Sequence, residues 1–110
     1  MNISTTIRPD GVAVLSADGR LNVVTAPAMR REVQRVVEEG SARVAVDLSG
    51  VDFIDSSGLG ALVSGLKTAR TAGGDLRLSG AGEQVSSVLA LTRLDRILRV
   101  YAGPDDAYRE

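Results

Sequence analysis

Along this chain the spacing of apolar residues switches repeatedly between every second position and every third or fourth. A chain of 110 residues with that rhythm has few ways to fold. Ile3, Thr5 and Ile7 alternate with polar neighbours up to Pro9-Asp10-Gly11, where proline presets φ and glycine accepts a positive one. Val12 to Leu15 resumes as a strand, so residues 3–18 are predicted to form a hairpin, closed at Asp18-Gly19. A helix is predicted over 25–39, with Thr25 as its cap and Pro27 in the first turn, where no backbone donor is needed. Val44, Val46 and Leu48 form the next strand, and Val51 to Ile54 brings the chain back to the edge of the sheet. Leu59, Leu62, Val63, Leu66 and Ala69 mark a second helix over 57–72, ended by Gly73-Gly74. Leu76 to Leu78 is a short strand, Val85, Val88 and Leu89 mark a third helix, and residues 97–100 are the last strand, before a short helix over 104–108.

The order is therefore β-β-α-β-α-β-α-β: one α/β domain over residues 1–110, with a four- to five-stranded mixed sheet and helices packed mainly on one side. Its core is expected to draw on Val14, Met29, Val33, Val44, Val46, Leu62, Leu66, Leu78, Val88 and Leu89.

Composition narrows the chemistry. Histidine and cysteine are both absent, which removes Ser-His-Asp and Cys-His catalysis, disulfides, thiolate metal sites and nearly all zinc chemistry. Lys+Arg total 13 against 14 Asp+Glu, a formal net charge of -1, which argues against holding nucleic acid by bulk charge. With one Phe, two Tyr and no Trp, there is no base-stacking platform. The first residues lack a basic-then-apolar signal pattern, and no apolar run approaches membrane-spanning length. A cytoplasmic, non-enzymatic monomer without metal or cofactor is expected, contacting neither membrane nor nucleic acid.

The informative stretch is Asp55-Ser56-Ser57-Gly58-Leu59-Gly60, which joins a strand to a helix. Asp and Ser are good caps, so a well-capped helix start is the plain explanation. Gly58 and Gly60, however, each cost the helix roughly 0.5–1 kcal/mol relative to alanine. Close packing accounts for Gly65 further on; Gly58 and Gly60, beside two hydroxyls, suit close approach by another protein or by a phosphate. A nucleophile elbow needs Gly-x-Ser-x-Gly and a base, and a P-loop needs Lys-Ser/Thr; none of these is present.

The hexapeptide resembles the signature of the anti-sigma factor antagonists, the bacterial single-domain STAS proteins. Further similarities follow in order: Gly19-Arg20-Leu21-Asn22 with Thr25-Ala26-Pro27, then Val46 to Ile54, then Gly73-Gly74-Asp75-Leu76. The resemblance implies a partner switch that regulates transcription. In it, the unphosphorylated antagonist binds an anti-sigma factor with serine-kinase activity, phosphorylation of the serine after the aspartate releases it, and a serine phosphatase resets it. Carried over, that serine is Ser56, with Ser57 second. The partner surface comprises Asn22, Thr25, Asp55, Ser57, Gly58, Leu59, Gly60 and Lys67. Asn22 departs from the family's usual acid, which leaves a retuned partner contact, an altered kinase reaction or a simple turn preference open. Other readings are a STAS subunit of a larger signalling or lipid-transport assembly, a nucleotide- or anion-binding module at the Ser56–Gly60 helix start, or an unrelated α/β domain.

Overall fold

The computed structural model describes residues 1–109. Its elements are β1 (Ile3–Ile7), β2 (Ala13–Leu21), α1 (Ala26–Glu38), β3 (Arg43–Ile54), α2 (Ser56–Thr71), β4 (Asp75–Ser79), α3 (Glu83–Leu91), a 3-10 turn (Leu94–Arg96), β5 (Val100–Tyr101) and α4 (Pro104–Ala107). The five strands lie in chain order, β1 antiparallel to β2 and every later neighbour parallel. Three parallel connections stepping in one direction, each right-handed, must carry their helices over the same face. Accordingly α1, α2 and α3 share one core with the inward residues of the sheet, including Leu15, Leu21, Val33, Val46, Leu62, Leu78 and Leu89.

The expected order and helix positions are those observed, with instructive exceptions. The two apolar runs at 44–48 and 51–54 belong to one unbroken strand, and that strand is central rather than at the edge. Its register against β2 slips twice, so that Ser16 faces Asp47 while Asp18 faces Gly50, and Gly19 faces Val51 while Arg20 faces Phe53. Each slip places one extra residue in β3. Buried residues then fall at Leu48, Val51 and Ile54, every third position, and a period of two cannot recognise them as strand. Gly50 sits in this irregular stretch because a Cβ there would lie 2.9 Å from the Ala17 carbonyl oxygen.

The last strand is displaced and shorter than the predicted 97–100. Arg93 adopts a positive φ of 61° before the 3-10 turn, so the chain is still turning at Ile97 and pairs with β4 only at Val100 and Tyr101. Val88 is half-buried rather than fully enclosed, and Val14 faces away from the main core. Val14 packs instead with Val12, Ala45 and Ala107 on the opposite face, beneath α4. Tyr108 fastens that end: its hydroxyl accepts the Val44 N–H at 3.1 Å and lies 2.7 Å from the Asp75 carbonyl oxygen, to which it donates. Burial pushes the Tyr108 phenol well above its usual range.

One charged contact ties the first strand to the first helix. The Thr5 hydroxyl donates to Glu32, which also receives Arg35 at 2.6 Å and 3.0 Å. The Arg35 hydrogen bonds, against an opposing push from partial burial and with help from Thr5, hold the Glu32 carboxyl at about 2. A depressed carboxyl stabilises the fold above its unfolded value and loses that contribution as the pH falls through the folded value. Glu32→Gln is therefore expected to lower the urea midpoint at neutral pH. The gap to the parent should narrow as the pH falls from about 4.5 toward about 2; a gap constant across that range contradicts the assignment.

Candidate functional site

β2 and β3 end side by side, because their parallel register finishes with Leu21 opposite Ile54. The Asp55 N–H reaches the Leu21 carbonyl oxygen at 3.3 Å, so the loop after β2 and the start of α2 share one end of the sheet, the usual place for sites in such folds. The end of β3 is also held from the other side. The Gln84 amide of α3 accepts the Ile54 N–H at 2.9 Å and donates to the Ile54 carbonyl at 3.0 Å, imitating a neighbouring strand just before the Ser56 turn.

The loop from Asn22 to Thr25 is built on oxygen acceptors. Asn22 Oδ1 accepts the N–H groups of Val24 and Thr25 at 3.0 and 3.3 Å. Thr25 was expected to cap α1, but its hydroxyl turns back, accepting the Asn22 N–H at 2.9 Å and donating to the Arg20 carbonyl at 2.7 Å. Threonine thus closes the loop rather than the helix. The Asn22 side chain acts in these bonds through its oxygen, and a carboxylate at this position would accept them equally. The loop presents Val23 and Val24, 67% and 80% exposed, on a backbone pinned at both ends.

At the start of α2 the cap is Asp55, whose Oδ1 accepts the Gly58 N–H at 2.9 Å. Ser56 is the first helical residue and is exposed; Ser57 beside it is half-buried. The two glycines have different duties. Gly58 is buried, and a Cβ there would lie 2.3 Å from the Leu21 carbonyl oxygen and 2.8 Å from Ile54 Cγ1. Its missing side chain lets the helix seat on the strand ends, which corrects the reading that it opens a path for a partner. Gly60 does face outward, where a Cβ would meet only the end of the Arg30 side chain, 3.3 Å away. Gly65 is a packing glycine as expected, set against Leu76 and Val33.

Ser56, Leu59, Gly60, Val63, Ser64 and Lys67 follow one another along α2 and, with Leu94, line a groove of about 460 Å³. The sequence brought Ser56, Leu59, Gly60 and Lys67 to attention. Val63 belongs by its spacing to the apolar stripe of α2, yet it is half-buried and lines this groove. Leu94 gave no signal, because it reaches the groove from an irregular turn after α3. Asn22, Thr25 and Asp55 lie beside the groove head as loop and cap.

The STAS domain family model matches residues 4–107. A crystal structure of a Thermotoga maritima protein, described as a candidate anti-sigma factor antagonist, superposes with a TM-score of 0.87 at 33% identity, covering 96% of this chain and 90% of that one. An anti-sigma factor antagonist from Mycobacterium paratuberculosis superposes with a TM-score of 0.81 at 32% identity, covering 96% and 91%. The anti-sigma-B factor antagonist of Staphylococcus epidermidis is 30% identical over 105 residues, 96% of each chain. A sheet in this strand order, its three main helices on one face and a family match over nearly the whole chain lead to one conclusion: the chain belongs to the STAS domain family.

Proposed function

We propose that this chain is an anti-sigma factor antagonist that works by partner switching, with Ser56 as the phosphorylated hydroxyl. The observation that carries the reading is that Ser56 is exposed at a rigid helix start whose cap is supplied by Asp55. The cap bond is made by Asp55 and not by Ser56, so the Ser56 hydroxyl is available to a kinase. A phosphate there adds about -1.5 to -2 charges at pH 7. The N-terminal end of a helix dipole tolerates that charge, so the modification acts through charge and bulk at the binding face while the domain stays folded. The unphosphorylated chain binds an anti-sigma factor with serine-kinase activity through the Val23–Val24 loop, the head of α2 and the groove running to Lys67. A serine phosphatase restores the binding form, and the chain acts as a cytoplasmic monomer without cofactor.

The direct test is incubation with the cognate anti-sigma kinase and ATP, followed by phosphosite mapping. A single site at Ser56, abolished in Ser56→Ala with kinase binding intact, is the expected result; labelling of Ser57, or of neither serine, overturns the assignment. Gly60→Ala probes the surface independently. Alanine is the better helix former and only the end of the Arg30 side chain has to give way to it, so stability should be unchanged or raised by up to about 1 kcal/mol, while affinity for the anti-sigma factor falls. Unchanged affinity places the partner elsewhere.

A further inference from the structure

Arg30 stands on the exposed side of α1 and forms no ion pair among the described residues. Its guanidinium nevertheless lies over α2, with Nη2 3.3 Å from where a Gly60 Cβ would be. Gly60 is four residues after Ser56, and positions so spaced on a helix are about 5–6 Å apart between Cβ atoms. Both Ser56 and Gly60 line the same groove. The guanidinium therefore sits about one helical turn from Ser56, and among the described residues no carboxylate is paired with it. The cation that lines the groove, Lys67, is eleven residues beyond Ser56 along α2, roughly 16 Å away at the helical rise, and cannot reach that turn.

We propose that Arg30 is the internal receptor for a phosphate on Ser56. The proposal rests on the reading of Ser56 as the modified residue and adds a mechanism to it. Phosphorylation draws the guanidinium from Gly60 to the phosphate oxygens, where planar N–H donors match the acceptor geometry. The pair bridges α1 and α2 across the head of the groove, covers Gly60 and occupies a cation that an acidic group of the partner could otherwise use. Release then has two parts: negative charge appears at the helix start, and the adjacent positive charge is consumed. Asp55, the carboxylate next in the chain, is held on the Gly58 N–H and stays a neighbour of the phosphate in every variant below.

The test installs phosphoserine at position 56 during translation, which needs no kinase, and follows its second ionisation by phosphorus NMR. Parent, Arg30→Gln and Arg30→Lys are compared in the full chain at low salt. Asp55 and the helix dipole act equally in all three, so differences report position 30. The phosphate in the parent should titrate about half a pH unit below that in Arg30→Gln, as suits an exposed pair. Arg30→Lys should fall between them, and high salt should close the gap. Equal midpoints for parent and Arg30→Gln overturn the proposal. Failure of the kinase to label Ser56 strikes the partner-switch reading alone, because the installed phosphate still reports whether Arg30 receives it.

Discussion

Gly58→Ala is expected to destabilise the fold by a net ~1–2 kcal/mol, whereas the same change two residues later should do no harm. The added methyl would lie 2.3 Å from the Leu21 carbonyl oxygen and 2.9 Å from Leu21 Cγ. Neither can withdraw freely, since that carbonyl accepts the Asp55 N–H and Leu21 is fully buried. Overpacking of this kind costs about 1–3 kcal/mol and sometimes more, while alanine's better helix propensity offsets at most about 1 kcal/mol. Urea unfolding of Gly58→Ala, Gly60→Ala and the parent measures the contrast. Because the clash lies at the Asp55–Gly58 cap, loss of partner binding should accompany the loss of stability in Gly58→Ala. A Gly58→Ala protein as stable as the parent would mean that α2 is not seated on the strand ends as described.

Ser56→Asp is expected to weaken binding to the anti-sigma factor by about 1–3 kcal/mol, and phosphorylation by more, because the phosphate carries nearly twice the charge. At about 1.4 kcal/mol per factor of ten, the substitution alone removes roughly one to two decades of affinity. Ser56 is exposed and does not cap the helix, so Ser56→Asp should unfold at the same urea concentration as the parent, and Ser56→Ala should bind as the parent does. Calorimetric titration against the purified anti-sigma factor reads all three. If Ser56→Asp and the phosphorylated chain both bind like the unmodified parent, the partner does not use this edge.

The order of elements is legible along the chain, because apolar period, proline, glycine and capping residues act within a few positions of one another. The second helix shows this well: Asp55 caps the Gly58 N–H through a contact three residues long, and such contacts are legible in a linear pattern. The neighbouring strand looks like two pieces in the linear pattern because its bulges against β2 are a property of the pair and break the period within β3. Thr25 carried a capping preference that the Arg20 carbonyl outcompeted. Gly58 and Gly60 look alike in the chain, and only their neighbours separate a packing glycine from a surface glycine: the buried Leu21 backbone lies against one, the end of the Arg30 side chain against the other. Gln84 reaches the end of β3 from α3, Leu94 reaches the groove from the turn after it, and Arg30 reaches Gly60 from α1. Their placement was decided by how three helices pack on one sheet face, since contacts between residues far apart in the chain leave no trace in the local period of apolar residues.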